Sequence, residues 1–90
     1  MNKSELAQRV ARRSGMSENL ANQVVSTTFE AIEKALTRGE RVSLVGFGAF
    51  EIVQRAARVG RNPRTGESIN IPEYKIPRFR PGKVLRTTII

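Results

Sequence analysis

Apolar positions in the first 39 residues return at helical spacing and then begin to alternate, so the pattern predicts a helical half followed by a β half. Leu6, Ala7, Val10 and Ala11 share one face at about 100° per residue, with Gln8, Arg9, Arg12 and Arg13 opposite. A first helix is expected from Lys3 to Ser14, with Asn2 as N-cap, Glu5 at the capping-box position and Gly15 as the stop. A second is expected after Ser17, ending at Gly39 as its C′ residue. Around it Leu20, Ala21, Val24, Val25, Phe29, Ala31, Ile32, Ala35 and Leu36 fill about half the circumference, and only Thr28 interrupts them. One short neighbouring helix does not cover so wide an arc, and the chain has little else to bury it with, so a self-association surface is expected.

After Gly39, Arg41 to Leu44 reads as a strand, Gly46-Phe47-Gly48 as a turn, and Ala49 to Arg58 as a second strand. Phe47, Phe50, Ile52 and Phe79 are available to seal this hairpin against the helices, and the phenylalanines suit a core better than a base-stacking platform. Val25, Phe29, Ile32, Leu36, Phe47, Phe50 and Phe79 are therefore the expected dimer interface.

Arg55 to Tyr74 differs in kind, because before Ile69 its only large apolar residue is Val59, and Gly60, Pro63, Gly66 and Pro72 punctuate it. It cannot build a core. Ile69-Asn70-Ile71 alternates, and Asn62-Pro63-Arg64-Thr65-Gly66 is turn chemistry, so a two-stranded ribbon is expected, projecting from the body and reversing near Arg64 and Thr65. Lys75 to Arg80 then returns as a strand, and Pro81-Gly82 opens a short terminal helix. Val84, Leu85 and Ile89 are expected to pack, and the β-branched Thr87-Thr88-Ile89-Ile90 is expected to fray.

Composition sharpens this outline. Ninety residues make one domain, and a chain this short is marginally stable without a staple or a partner. There is no cysteine, histidine or aspartate, which removes disulfides, the usual zinc and iron ligands and most catalytic constellations. Gly46-Phe47-Gly48 lacks the third glycine of a nucleotide loop. No apolar run is long enough for a signal peptide or a membrane span, so a cytoplasmic protein is expected.

Net charge is +8, and it is not evenly spread. Up to Gln54 there are seven Lys/Arg against six Glu, and from Arg55 onward nine against two. Arg55, Arg58, Arg61 and Arg64 recur every third residue where Pro63 forbids a helix. On a strand that spacing alternates faces, so the guanidinium groups line both sides of the ribbon and suit an element that enters a groove between two phosphate walls.

These same residues carry a resemblance. Gly46-Phe47-Gly48-Ala49-Phe50, Arg55, Arg58 and Gly60-Arg61-Asn62-Pro63-Arg64-Thr65-Gly66 are similar to the signature of the bacterial histone-like family of HU and integration host factor. The similarity spans the chain, from Met1-Asn2-Lys3 to Pro77, Phe79 and Gly82-Lys83. It implies an α+β fold: an intertwined homodimer with an α-helical base (1–39), a β-sheet saddle and short C-terminal helix (40–54 and 75–90) and two projecting β-ribbon arms (55–74). It further implies that the arms hold double-stranded DNA in the minor groove through Arg55, Arg58, Arg61, Asn62 and Arg64, and that Pro63 intercalates at the tip. Lys3, Lys83 and Arg86 would hold flanking phosphates on the body, with Arg80 beside them. The chain departs from the commoner pattern in its arginines over lysines, in Tyr74 and in its Ile89-Ile90 end.

The resulting expectation is a non-enzymatic, nucleoid-associated protein that needs no cofactor, metal or small-molecule substrate, has little sequence preference, and bends and compacts DNA. An integration-host-factor-like subunit would instead pair with a different chain and prefer particular sites. A small RNA-binding protein lacks support from an aromatic platform, and a membrane-surface protein lacks a basic amphipathic helix with large apolar residues.

Overall fold

The computed structural model describes all residues, 1 to 90. The chain runs α1 (Lys3–Ser14), α2 (Glu18–Thr37), β1 (Val42–Leu44), β2 (Gly48–Arg55), β3 (Arg58–Arg61), β4 (Ser68–Ile71), β5 (Tyr74–Pro81) and α3 (Lys83–Ile89).

Local chemistry sets the helix ends. Asn2 Oδ1 accepts the Glu5 amide at 2.8 Å, and Ser17 Oγ accepts that of Leu20 at 3.1 Å. At the end of α2, the Gly39 amide donates to Leu36 O and the Glu40 amide to Ala35 O, each at 2.9 Å, with Gly39 at φ 80°. This is a Schellman closure, and it needs the left-handed residue that glycine supplies. α1 and α2 meet through Ala7, Ala11, Ala21 and Val25, with Leu6, Val10 and Met16 around them. Small side chains let the two helices approach closely, and little else is covered.

β1, β2 and β5 form an antiparallel sheet in that order. Phe50 opposes Phe79, Glu51 opposes Arg78 and Arg55 opposes Tyr74. At Gly48 a Cβ would stand 2.5 Å from the Arg80 carbonyl oxygen and 2.7 Å from the Phe79 ring, so the strands pack at this separation only around glycine.

The expected unbroken strand from Ala49 to Arg58 is interrupted at Ala56 and Ala57, and pairing resumes in a separate two-stranded ribbon of β3 and β4. Opposite the break lies Pro72, which has no amide to donate to a ladder. Arg55 pairs with Tyr74 and Arg58 with Ile71, so two residues are skipped on each side and the register is kept. The last turn, expected to fray, is helical to Ile89 in this conformation. The Thr87 hydroxyl donates to Lys83 O and Val84 O, and that of Thr88 to Val84 O, each within 3.0 Å, so both side chains bond back to carbonyls of the preceding turn. Of the residues expected to pack there, Leu85 is half-buried, whereas Val84 and Ile89 stand in solvent.

The molecule is 58 Å long and 29 by 28 Å across, with a radius of gyration of 18.7 Å. A compact chain of this length has about 12 Å. Its accessible surface is 7523 Å², against roughly 5,200 Å² for a compact monomer of its mass. Only seven of the 90 residues are buried.

Candidate nucleic-acid interface

The ribbon reverses through a turn that its own side chains build. The Gly66 amide donates to Asn62 O at 2.8 Å and the Asn62 amide to Glu67 O at 2.9 Å. Asn62 Oδ1 accepts the Arg64 amide at 2.9 Å, and Gly66 sits at φ 71° where a Cβ would be strained. Asn62, expected as a contact residue, thus spends its side-chain oxygen on the turn. Pro63 stands exposed in the turn at the tip of the ribbon.

Arg55, Arg58, Arg61 and Arg64 are all exposed, and none is in an ion pair. Arg61 reaches across the turn to Gly66 O at 3.4 Å. Glu73, one of two acidic residues beyond Arg55, is occupied by Gln54 Nε2 at 3.1 Å. The structure therefore brings the four arginines onto one slender element, where neither Glu67 nor Glu73 forms an ion pair with them.

On the body, Arg80, Lys83 and Arg86 come together around an open cleft of about 490 Å³, which Arg41, Ser43, Gly46 and Gly82 complete. Lys3 is exposed at the start of α1 and does not line it. Arg41 was not singled out in the sequence, nor were Arg78 and Glu51. Arg78 Nη2 and Nε donate to Glu51 Oε1 at 2.7 and 3.2 Å, Arg80 Nε lies 2.8 Å from the same oxygen, and Arg41 Nε lies 4.0 Å from Oε2. The hydrogen bonds from Arg78 hold the Glu51 carboxyl below its ordinary value; partial burial opposes this, and the charges of Arg80 and Arg41 add to it. The signal for this cluster was a lone glutamate at an alternating strand position, which only the pairing register connects to Arg78.

A second exposed surface is apolar. Phe29, Ile32 and Leu36 of α2 face Phe50, Ile52 and Pro77 across a groove of about 360 Å³. Phe79 packs between Phe47 and Phe50 with tilted rings, centroids 5.2 and 4.9 Å away, yet Phe29 and Phe47 are each 47% exposed. Val25, expected at this surface, is instead 6% exposed inside the contact with α1, because its position on α2 turns it toward Ala7 and Ala11. No helix is long and apolar enough to cross a membrane.

The family model described as bacterial DNA-binding protein matches residues 1–89. The chain is 49% identical over 89 residues to DNA-binding protein HU of Geobacillus stearothermophilus, covering 99% of both. It is similar to the Anabaena HU in an HU–DNA cocrystal structure, with a TM-score of 0.92 and 42% identity over 99% of this chain and 97% of that one. Against HU from Thermotoga maritima the TM-score is 0.71, with 33% identity over the whole of both chains.

Proposed function

This chain belongs to the bacterial DNA-binding protein family, and on that footing we propose that it is a histone-like architectural protein that binds double-stranded DNA with little dependence on sequence and bends it. The arm carries this reading: four exposed, unpaired arginines on a two-stranded ribbon that ends in Pro63. From Arg55 to Arg64, at about 3.3 Å per residue, the arm reaches about 30 Å. That is nearly one turn of duplex, about 34 Å. A ribbon with its side chains is broader than a minor groove of about 6 Å, so entry requires the groove to open. Opening goes with kinking, and Pro63 offers a rigid apolar wedge with no amide to bury at the point where the kink is needed.

Two copies complete the molecule. The groove beside Phe29, Ile32 and Phe50 is closed by the same surface of a second chain, which gives a homodimer with residues 1–39 as its helical base. Residues 40–54 and 75–90 form the saddle and terminal helices, and 55–74 form the two arms. Lys3, and the cleft lined by Arg80, Lys83 and Arg86, receive the DNA beyond each kink. The role requires no catalysis and places the protein on the nucleoid.

Energy transfer across a short end-labelled duplex tests the whole reading. The protein alone brings the ends together on duplexes of unrelated sequence, and structured RNA or anionic vesicles compete poorly. Unchanged end-to-end distance at saturation, or dependence on one sequence by orders of magnitude, is the contrary result.

A further inference from the structure

Glu51 is the only acidic residue in β1, β2 and β5. Phe50 and Ile52 face α2, so by strand alternation Glu51 points to the opposite face, which is the open face of the saddle. Three guanidinium groups share its carboxylate, and they do so unequally. Arg78 is aligned for two hydrogen bonds and is 37% exposed. Arg80 is as near, without hydrogen-bond alignment, and Arg41 is farther; each is 60% exposed. Arg80 and Arg41 also line the basic cleft with Lys83 and Arg86, so they stand between a carboxylate on one side and open space on the other.

We propose that Glu51 is the exchangeable counter-ion of the saddle: in the free protein it holds Arg80 and Arg41, and a DNA phosphate entering the cleft takes both over while Arg78 keeps the carboxylate. The inference rests on the DNA-binding reading above and adds an internal competitor to it. A guanidinium with no partner releases one DNA counter-ion when it meets a phosphate. One that leaves a carboxylate returns part of that gain, because the vacated oxygen draws a salt cation. Glu51 therefore weakens binding and makes the salt dependence shallower than the number of phosphate contacts implies.

Glu51→Gln keeps the shape of the side chain and removes its charge. The comparison is Glu40→Gln, which frees Arg38 from a more exposed pair of 3.2 Å at the junction of α2 and β1. On a duplex of arbitrary sequence at about 0.1 M salt, Glu51→Gln binds about three- to fivefold more tightly, with a salt slope steeper by about one, while Glu40→Gln changes affinity less than about twofold. Weaker binding by Glu51→Gln overturns the proposal, since the carboxylate would then be orienting the arginines for DNA. An effect equal to that of Glu40→Gln overturns it too, because only net charge would matter. If Glu51→Gln does not fold, the wild-type protein decides: the Arg80 Nε–H resonance moves on adding duplex while that of Arg78 stays, and the reverse overturns the assignment. Failure of the wild-type protein to bind duplex at all is read first and removes the DNA-binding reading itself.

Discussion

Along α2 the chain exposes apolar side chains that it has nothing to cover with, whereas between 55 and 74 it exposes four guanidinium groups that it leaves without an ion pair. Water treats the two very differently. It opposes the exposure of Phe29 and Phe47, so that surface is an unmet condition of folding and calls for a permanent partner. It solvates the arginines of the arm well, so the arm can stand free until a polyanion displaces the salt around it. Stability and binding are thus placed in different segments, and substitutions should separate them.

The largest effect is expected where the two must not mix. Phe29→Ala should lower dimer stability by about 3–5 kcal/mol, the usual cost of emptying an aromatic site in a core. Thermal melts at several protein concentrations check this, because the wild-type midpoint rises with concentration and that of the variant starts far lower. A midpoint independent of concentration, together with a monomeric mass, would erase the distinction drawn here.

Replacing Arg58 and Arg61 with glutamine should act on the other side alone. Each lost phosphate contact flattens the slope of log affinity against log salt by about 0.9, so the pair should cost roughly two units and leave the melting midpoint unmoved. Titrations across a salt series measure the first and calorimetry the second. Pro63→Ala sharpens the contrast within the arm. Affinity for intact linear duplex should stay nearly unchanged, while the preference for nicked or mismatched duplex falls, because unstacking a base step costs about a few kcal/mol and only a wedge exploits sites where that is already lost. If bending at saturation is unchanged, Pro63 serves the turn alone.

The smallest effect lies within the body, at Glu51. Its folded carboxyl titrates below the ordinary value of 4.5, so its contribution to stability is complete above that pH and is lost as pH falls through the lowered folded value. Acid titration should therefore show the wild type more stable than Glu51→Gln near neutrality and the gap closing below 4.5, as the wild type alone loses that contribution.

Much of the fold was legible because it is written locally. Asn2, Gly15, Ser17 and Gly39 mark the helix ends by chemistry that acts within a few residues, and Asn62 to Gly66 announces its own turn. The break at Ala56 and Ala57 was not legible, since alanine signals neither strand nor turn and the cause lies opposite, at Pro72. The terminal helix was legible from Pro81-Gly82, which opens it, but the hydroxyl bonds of Thr87 and Thr88 to the preceding turn were not. The arginines of the arm could be read from spacing alone. The group of Arg41, Glu51, Arg78 and Arg80 could not, because three strands bring it together and its members are up to 39 residues apart.

The kept register across the break bears on how such arms can change over evolutionary time. Because β2 and β5 hand on to β3 and β4 with equal gaps, residues added to the ribbon preserve every cross-strand pair only if both strands lengthen together. A single insertion on one strand would turn all the later side chains on that strand to the opposite face. Arm length is thus inherited in matched steps, and a lineage that needs a longer reach along DNA must acquire it on both strands at once.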